Sequence, residues 1–245
     1  SDVCSSDLRQ ALEAAAASLA VVMLAGNAVG TYVRNEAWRT EETLWKDVTE
    51  KSPANGRGLM NYGLTQMAKG QFEEAKAYFD RAKVLLPYYS TLEVNLGIVT
   101  NRIGSAREAE EHFTRALDLA PEDTAAHVFY ASWLADKDRV EEAIPHLVKA
   151  VAASPGNLPA RYQLLDAYAR TGKLDALQAL VRETLAIAPD DATGRRYLDA
   201  SGNVQIPPRA AAPRRETDAF SAAIAESLAA YRDHDFARKI GRAHV

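Results

Sequence analysis

Residues 56–87 read GRGLMNYGLTQMAKGQFEEAKAYFDRAKVLLP, and residues 90–121 read STLEVNLGIVTNRIGSAREAEEHFTRALDLAP. The second stretch repeats the pattern of the first at an offset of 34 residues, and the offset continues along the chain: Pro87, Pro121, Pro155 and Pro189 are each 34 apart. Eight residues into each segment stand Gly63, Gly97, Ala131 and Leu165. Twelve further on come Ala75, Ala109, Ala143 and Leu177, then Phe79, Phe113, Leu147 and Val181, then Ala82, Ala116, Ala150 and Thr184. The turn position reads Gly70, Gly104, Asp138 and Gly172.

A period of 34 with small, small, large, small and proline at these offsets resembles the tetratricopeptide repeat (TPR). The residue types have physical reasons. Two antiparallel helices, A and B, cross where only Gly or Ala permits close approach. The large residue fills the gap towards the next repeat, and the closing Pro cannot continue helix B. The expectation is an all-α chain: a right-handed α-solenoid of helix-turn-helix repeats, four of them over residues 54–191, preceded by one transmembrane helix.

The two termini read as foreign to the fold. Asp2-Val3-Cys4-Ser5-Ser6-Asp7 can be encoded GAC GTG TGC TCT TCC GAT, whose reverse complement encodes Ile240-Gly241-Arg242-Ala243-His244-Val245. Such an inverted repeat is what a sequencing adapter ligated to both sides of an insert leaves. Residues 1–8 and 240–245 are therefore set aside, as a fusion scar would be. Cys4, the only cysteine, then carries no message about redox compartment, and the parent protein is expected to extend beyond both ends.

The formal net charge of −4 becomes about −3 without those ends, which argues against a nucleic-acid surface. Apolar content of 47%, rich in Ala, suits helices.

Residues 9–34 hold the uncharged run AAAASLAVVMLAGNAVGTYV from Ala14 to Val33, twenty residues long and enough to cross a bilayer. A transmembrane helix is the favoured reading. A secretory signal core and a buried soluble helix are the alternatives, with Ala25-Gly26-Asn27-Ala28 as a passable cleavage site. Tyr32, Trp38 and Trp45 follow, as aromatic residues do at membrane interfaces, although Trp45 can equally pack on the first repeat. In residues 35–53, Thr40-Glu41-Glu42 marks a helix start and Ser52-Pro53 its end. Pro53 falls one period before Pro87, so this segment reads as a lone helix B covering the N-terminal end of the array. Beyond the repeats, residues 192–216 read as a short helix near Ala192–Ala200 and a Pro-rich linker. Residues 217–239 read as helix A of a further, truncated repeat, or as a separate amphipathic helix. Pro145 lies early in the third helix B, where it perturbs the first turn or bends the helix.

The run Arg34-Asn35-Glu36-Ala37-Trp38-Arg39-Thr40 to Leu44-Trp45, then Lys51-Ser52-Pro53 and Asn61-Tyr62-Gly63, joins a span directly to the repeats. It resembles the segment after the last transmembrane helix in bacterial relatives of the transmembrane-and-TPR O-mannosyltransferases. That resemblance implies repeats on the non-cytoplasmic side of a membrane, the inner membrane in a bacterium. It also implies catalytic acids in loops of a membrane domain, none of which is among these residues.

No catalytic constellation, cofactor site or metal site is read from the sequence. His112, His127, His146 and His234 are read as spread over different repeats, without metal-ligand spacing, and as surface or packing residues. Glu73-Glu74, Glu108 to Glu111 and Glu141-Glu142 open each helix B, where the helix dipole favours acids.

What remains is the concave face of helix A, at the second, fifth, ninth, twelfth and thirteenth places of each repeat. These are Arg57, Met60, Leu64 and Met67 in the first, then Thr91, Val94, Ile98, Asn101 and Arg102 in the second. Val128, Ser132 and Asp136 follow in the third, then Tyr162, Asp166 and Arg170 in the fourth. The face passes from apolar to charged, and the expected ligand is a protein or peptide. Packing against neighbouring repeats is the competing role. Met60 and Leu64 stand where repeats that clamp a C-terminal carboxylate present Lys and Asn, which disfavours that role. Taken together, the chain reads as a membrane-tethered interaction scaffold from a larger glycosyltransferase-like protein, or else as an exported soluble TPR protein.

Overall fold

A computed structural model of the chain describes residues 2–199 and 202–207. The helix expected from Thr217 and the stretch 240–245 lie outside the described residues. The chain divides into two compact parts, Ser1–Leu85 and Leu86–Val245.

The first part holds α1 (Asp2–Ala37), α2 (Glu41–Lys51), α3 (Gly56–Ala68) and α4 (Phe72–Leu85). α1 begins within the residues that the sequence sets aside, and it is one unbroken helix of 36 residues. Its segment Leu12–Glu36 is long and apolar enough to cross a membrane, and none of it is buried against the rest of the protein. α2 starts as its sequence requires. Thr40 accepts from the Thr43 amide at 3.1 Å, and the Thr43 hydroxyl accepts from the Thr40 amide at 3.2 Å, closing a capping box. α3 and α4 pair as a hairpin, and α2 packs on α3.

The second part holds three more hairpins: α5 (Ser90–Arg102) with α6 (Ala106–Leu119), α7 (Thr124–Asp136) with α8 (Val140–Ala153), and α9 (Leu158–Arg170) with α10 (Leu174–Ile187). A single turn of helix, α11 (Ala192–Arg195), packs on α10.

Within every hairpin the periodic positions are the core. Ala75, Phe79 and Ala82 of α4 are buried, and so are Ala109, Phe113 and Ala116 of α6. Ala143, Leu147 and Ala150 of α8 are buried, as are Leu177, Val181 and Thr184 of α10. The turn between A and B needs a left-handed residue: Gly70, Gly104 and Gly172 have φ of 77°, 97° and 68°. Asp138 takes the same place at φ 62°, one of the few residues other than Gly that tolerate it.

Three of the four A helices are also capped at a fixed place. Asn55 accepts from Gly58 N at 3.0 Å, Asp123 from Ala125 N and Ala126 N at 2.9 and 3.2 Å, and Asn157 from Ala160 N at 3.1 Å. Tyr89 stands at that place before α5 and provides no side-chain cap. Helix α8 continues through Pro145, which is exposed. Near the end, the short helix expected to Ala200 stops at Arg195. Leu198 then bridges antiparallel to Val204 around a turn in which Gly202 has φ 78° and Asp199 accepts from Asn203 N at 2.8 Å. The local turn chemistry of Asp, Gly and Asn overrides the helical pattern there.

Candidate ligand-binding groove

The expected groove residues lie on α3 in the first part and on α5, α7 and α9 in the second. Their exposure is uneven. On α3, Arg57 is exposed and Leu64 half-buried, while Met60 and Met67 are buried. On α5, Val94 and Ile98 are buried, and Thr91, Asn101 and Arg102 are half-buried. Val128 and Ser132 on α7 and Tyr162 on α9 are half-buried, and Asp136 and Asp166 are exposed. The apolar members are therefore mostly interior, and the polar members supply most of the accessible chemistry.

Those polar side chains of the second part are tied from one helix A to the next. The Trp133 indole N–H on α7 donates to Asn101 Oδ1 on α5 at 3.1 Å. Ser132 donates to Gln163 Oε1 on α9 at 2.8 Å. Arg170 on α9 reaches back to Asp138 at 2.9 Å and lies 3.7 Å from Asp166 within its own helix. The Tyr162 hydroxyl bonds Asp191 before α11, and burial adds to that bond to hold the phenol up at about 12. The result is a row of polar groups across α5, α7 and α9 joined by hydrogen bonds from helix to helix.

The place register missed two contributors. Trp133 and Gln163 fall at the tenth and sixth places, and the sixth place holds an amide in three of four repeats: Asn61, Asn95 and Gln163. Asn61 Oδ1 and Asn95 Nδ2 are buried without a hydrogen-bond partner. That recurrence was the available signal.

The histidines also differ from expectation in one respect. His127 on α7 and His146 on α8 share one hairpin, and their Nδ1 atoms are 2.9 Å apart. Burial, His127 and Lys149 together push His146 below the ordinary imidazole range. One repeat earlier, His112 Nδ1 lies 2.7 Å from the buried Glu93 carboxylate.

Models of the tetratricopeptide repeat family match residues 56–83, 102–158 and 134–196. Protein O-mannosyl-transferase Tmtc3 of Drosophila melanogaster is 31% identical over 106 residues, which is 43% of this chain and 11% of that protein. The chain therefore spans about a tenth of that relative's length. Among solved structures, YrrB, described as a TPR protein with an unusual peptide-binding site, aligns with a TM-score of 0.51 at 21% identity, covering 69% of this chain and 85% of YrrB. MamA from Desulfovibrio magneticus RS-1 aligns with a TM-score of 0.51 at 21% identity, over 58% of this chain and 80% of that one. At such identities the likeness is one of fold.

Proposed function

The chain belongs to the tetratricopeptide repeat proteins, and on that premise we propose that it is a membrane-tethered scaffold that binds a protein or peptide along the helix-A face. The observation that carries this reading is the polar row Asn101–Trp133 and Ser132–Gln163 across α5, α7 and α9. The half-buried Asn101, Ser132 and Gln163, fixed at a helical spacing, suit an extended backbone, whose own N–H and C=O groups must be satisfied when water leaves. The residues proposed are, in the first part, Arg57, Met60, Leu64 and Met67 of α3 and, in the second part, the eleven named on α5, α7 and α9, the exposed and half-buried ones of each making contact. These residues bind rather than catalyse.

The tether is α1. Leu19, Val22, Met23, Leu24 and Val29 are all more than 60% exposed, a surface that suits lipid and not water. In the longer parent protein we place these repeats on the non-cytoplasmic side, following a membrane domain of glycosyltransferase type. The match to Tmtc3 and the direct passage from span to repeats support that reading.

Peptides selected from a displayed library on the full chain in detergent test the groove. The Val128→Asp, Asp166→Lys variant, with unchanged helicity, is expected to bind the selected peptides at least ~10-fold more weakly, as loss of about 1.4 kcal/mol implies. Equal binding removes the groove from the function. Alkaline extraction of membranes from expressing cells tests the tether. A product that washes off and whose mature N-terminus lies near Val29 favours the exported soluble reading instead. Recovery of the intact reading frame decides the parent: further spans with acidic residues in a non-cytoplasmic loop support the transferase, and a start codon shortly before Arg9 excludes it.

A further inference from the structure

The fourth place of helix A and the twenty-third place of the repeat meet in the first two hairpins of the second part, and the sequence fills those places differently in every repeat. It is Glu93 with His112 in α5–α6 and His127 with His146 in α7–α8. In α9–α10 Arg161 occupies the helix-A place, with Leu180 at the other. Arg161 is held by the Pro155 carbonyl at 2.6 Å and by Glu183 at 3.4 Å. Only the middle pair consists of two groups that carry the same charge when protonated.

Its hydrogen bonds define where the protons sit. His127 is 3% exposed, and its Nε2 lies 2.9 Å from the Pro121 carbonyl, which can only accept. His127 Nε2 therefore carries a hydrogen. In the neutral ring, Nδ1 is then a lone pair, so the 2.9 Å bond to His146 requires the hydrogen on His146 Nδ1. A first added proton goes to His146 Nε2 and leaves the bond intact. A second must go to His127 Nδ1, which sets N–H against N–H between a buried and a half-buried cation, and the pair cannot hold.

The surroundings give that second charge no relief. The Tyr130 ring stands edge-on to His146 with centroids 4.8 Å apart, and Lys149 on α8 adds a like charge. The carboxylates of adjoining helices are engaged elsewhere: Glu93 on α5 by His112, and Glu110 on α6 by Tyr130 and Arg139. Arg139 also holds Glu142 on α8 itself. On α9, Arg161 is taken up by the Pro155 carbonyl and by Glu183 of α10. Among the described residues no carboxylate pairs with either imidazole of the middle hairpin.

We propose that the His127–His146 pair makes the α7–α8 hairpin an acid-opened joint, closed with up to one shared proton and released when both rings are charged. Because α7 carries Val128, Ser132, Trp133 and Asp136, opening it breaks the Asn101–Trp133 and Ser132–Gln163 bonds on both sides. The helix-A row is thereby interrupted at its centre in mildly acidic surroundings.

The sign follows from linkage. His146 is held below its unfolded value of about 6.5, so the opened state takes up more protons below that pH, and stability falls as pH falls through and below it. One proton taken up on opening raises the opening constant about 10-fold per pH unit, and two raise it about 100-fold.

The test is nitrogen-detected NMR of the histidine rings and native-state hydrogen exchange on the full chain in detergent micelles between pH 8 and pH 5. At pH 8, His127 is expected as the Nε2–H tautomer and His146 as the Nδ1–H tautomer. Below about pH 6.5, amides of α7 and α8 should gain at least ~10-fold per pH unit in opening, beyond any change in α9–α10. The His127→Leu, His146→Tyr variant copies the Leu59 and Tyr78 pair of the first hairpin and should abolish that excess. A retained excess in the variant overturns the proposal. So do two rings titrating independently without opening, or the reverse tautomers in the native chain, a result that does not depend on the variant folding.

Discussion

A Cβ placed on Gly63 of α3 would stand 2.6 Å from Cε1 of Phe79 on α4. Real Cβ atoms do not come so near, and Phe79, fully buried, has nowhere to move. The same relation recurs 34 residues later, where a Cβ on Gly97 would meet Phe113 Cε1 at 2.9 Å.

Gly63→Ala thus sets two effects against each other. Ala is better than Gly inside a helix by about 1 kcal/mol. Overpacking against an immobile ring costs about 1–3 kcal/mol. The expected net is a loss of about 1 kcal/mol in denaturant unfolding, with a smaller loss for Gly97→Ala. Both should recover when Phe79 or Phe113 is replaced by Leu, since the third repeat has Leu147 and Ala131 at the corresponding places.

Glu93, 2% exposed, and His112 pair at 2.7 Å, and His112 Nε2 lies 3.8 Å from Glu108 on its own helix. Removing one member of a buried pair costs about 3–5 kcal/mol, whereas exchanging both for apolar groups is nearly neutral. His112→Tyr alone should therefore destabilise by a few kcal/mol, and Glu93→Leu with His112→Tyr should restore most of it. A double-mutant cycle by urea unfolding measures the coupling.

Asp123 satisfies two of the amides that open α7. Asp123→Ala should cost about 1–2 kcal/mol, and Asp123→Asn much less, since Asn55 and Asn157 do the same work in other repeats. Thermal unfolding of the three proteins gives the ranking.

Burial, with the Glu110 carboxylate beside it, pushes the Tyr130 phenol up to about 12. The phenol of an unfolded chain ionises near 10, so this stabilisation is complete below pH 10 and is lost as pH rises towards 12. Tyr130→Phe loses the 3.1 Å bond to Glu110 and should be about 1 kcal/mol less stable at pH 8. The difference should shrink or reverse by pH 11.5 in chemical unfolding.

The hairpins were legible in the sequence because each signal reflects a hard constraint. Gly63 and Gly97 sit where a Cβ does not fit, and Gly70, Gly104 and Gly172 sit where φ is positive. Asp138 was legible as a turn only by its place in the period. The groove was less so. Period and place locate a residue on a helix face, yet the burial of Met60 and Ile98 and the bond from Trp133 to Asn101 depend on what packs beside them. The facing histidines escaped for a different reason. They were weighed as metal ligands, for which a spacing of 19 is uninformative, whereas the same spacing in Glu93 and His112 marked a recurrent contact between helices A and B.

Three residues, Trp38, Arg39 and Thr40, separate the last residue of α1 from the first of α2. Fully stretched they reach only about 10 Å. On the proposal that Leu12–Glu36 lies in a bilayer, α2 begins within that reach of its end, close to the lipid headgroups. Recognition then becomes a problem in two dimensions. A partner confined to the same sheet of lipid meets these repeats by lateral diffusion, at an effective concentration set by its number per area. A soluble partner gains nothing from that confinement.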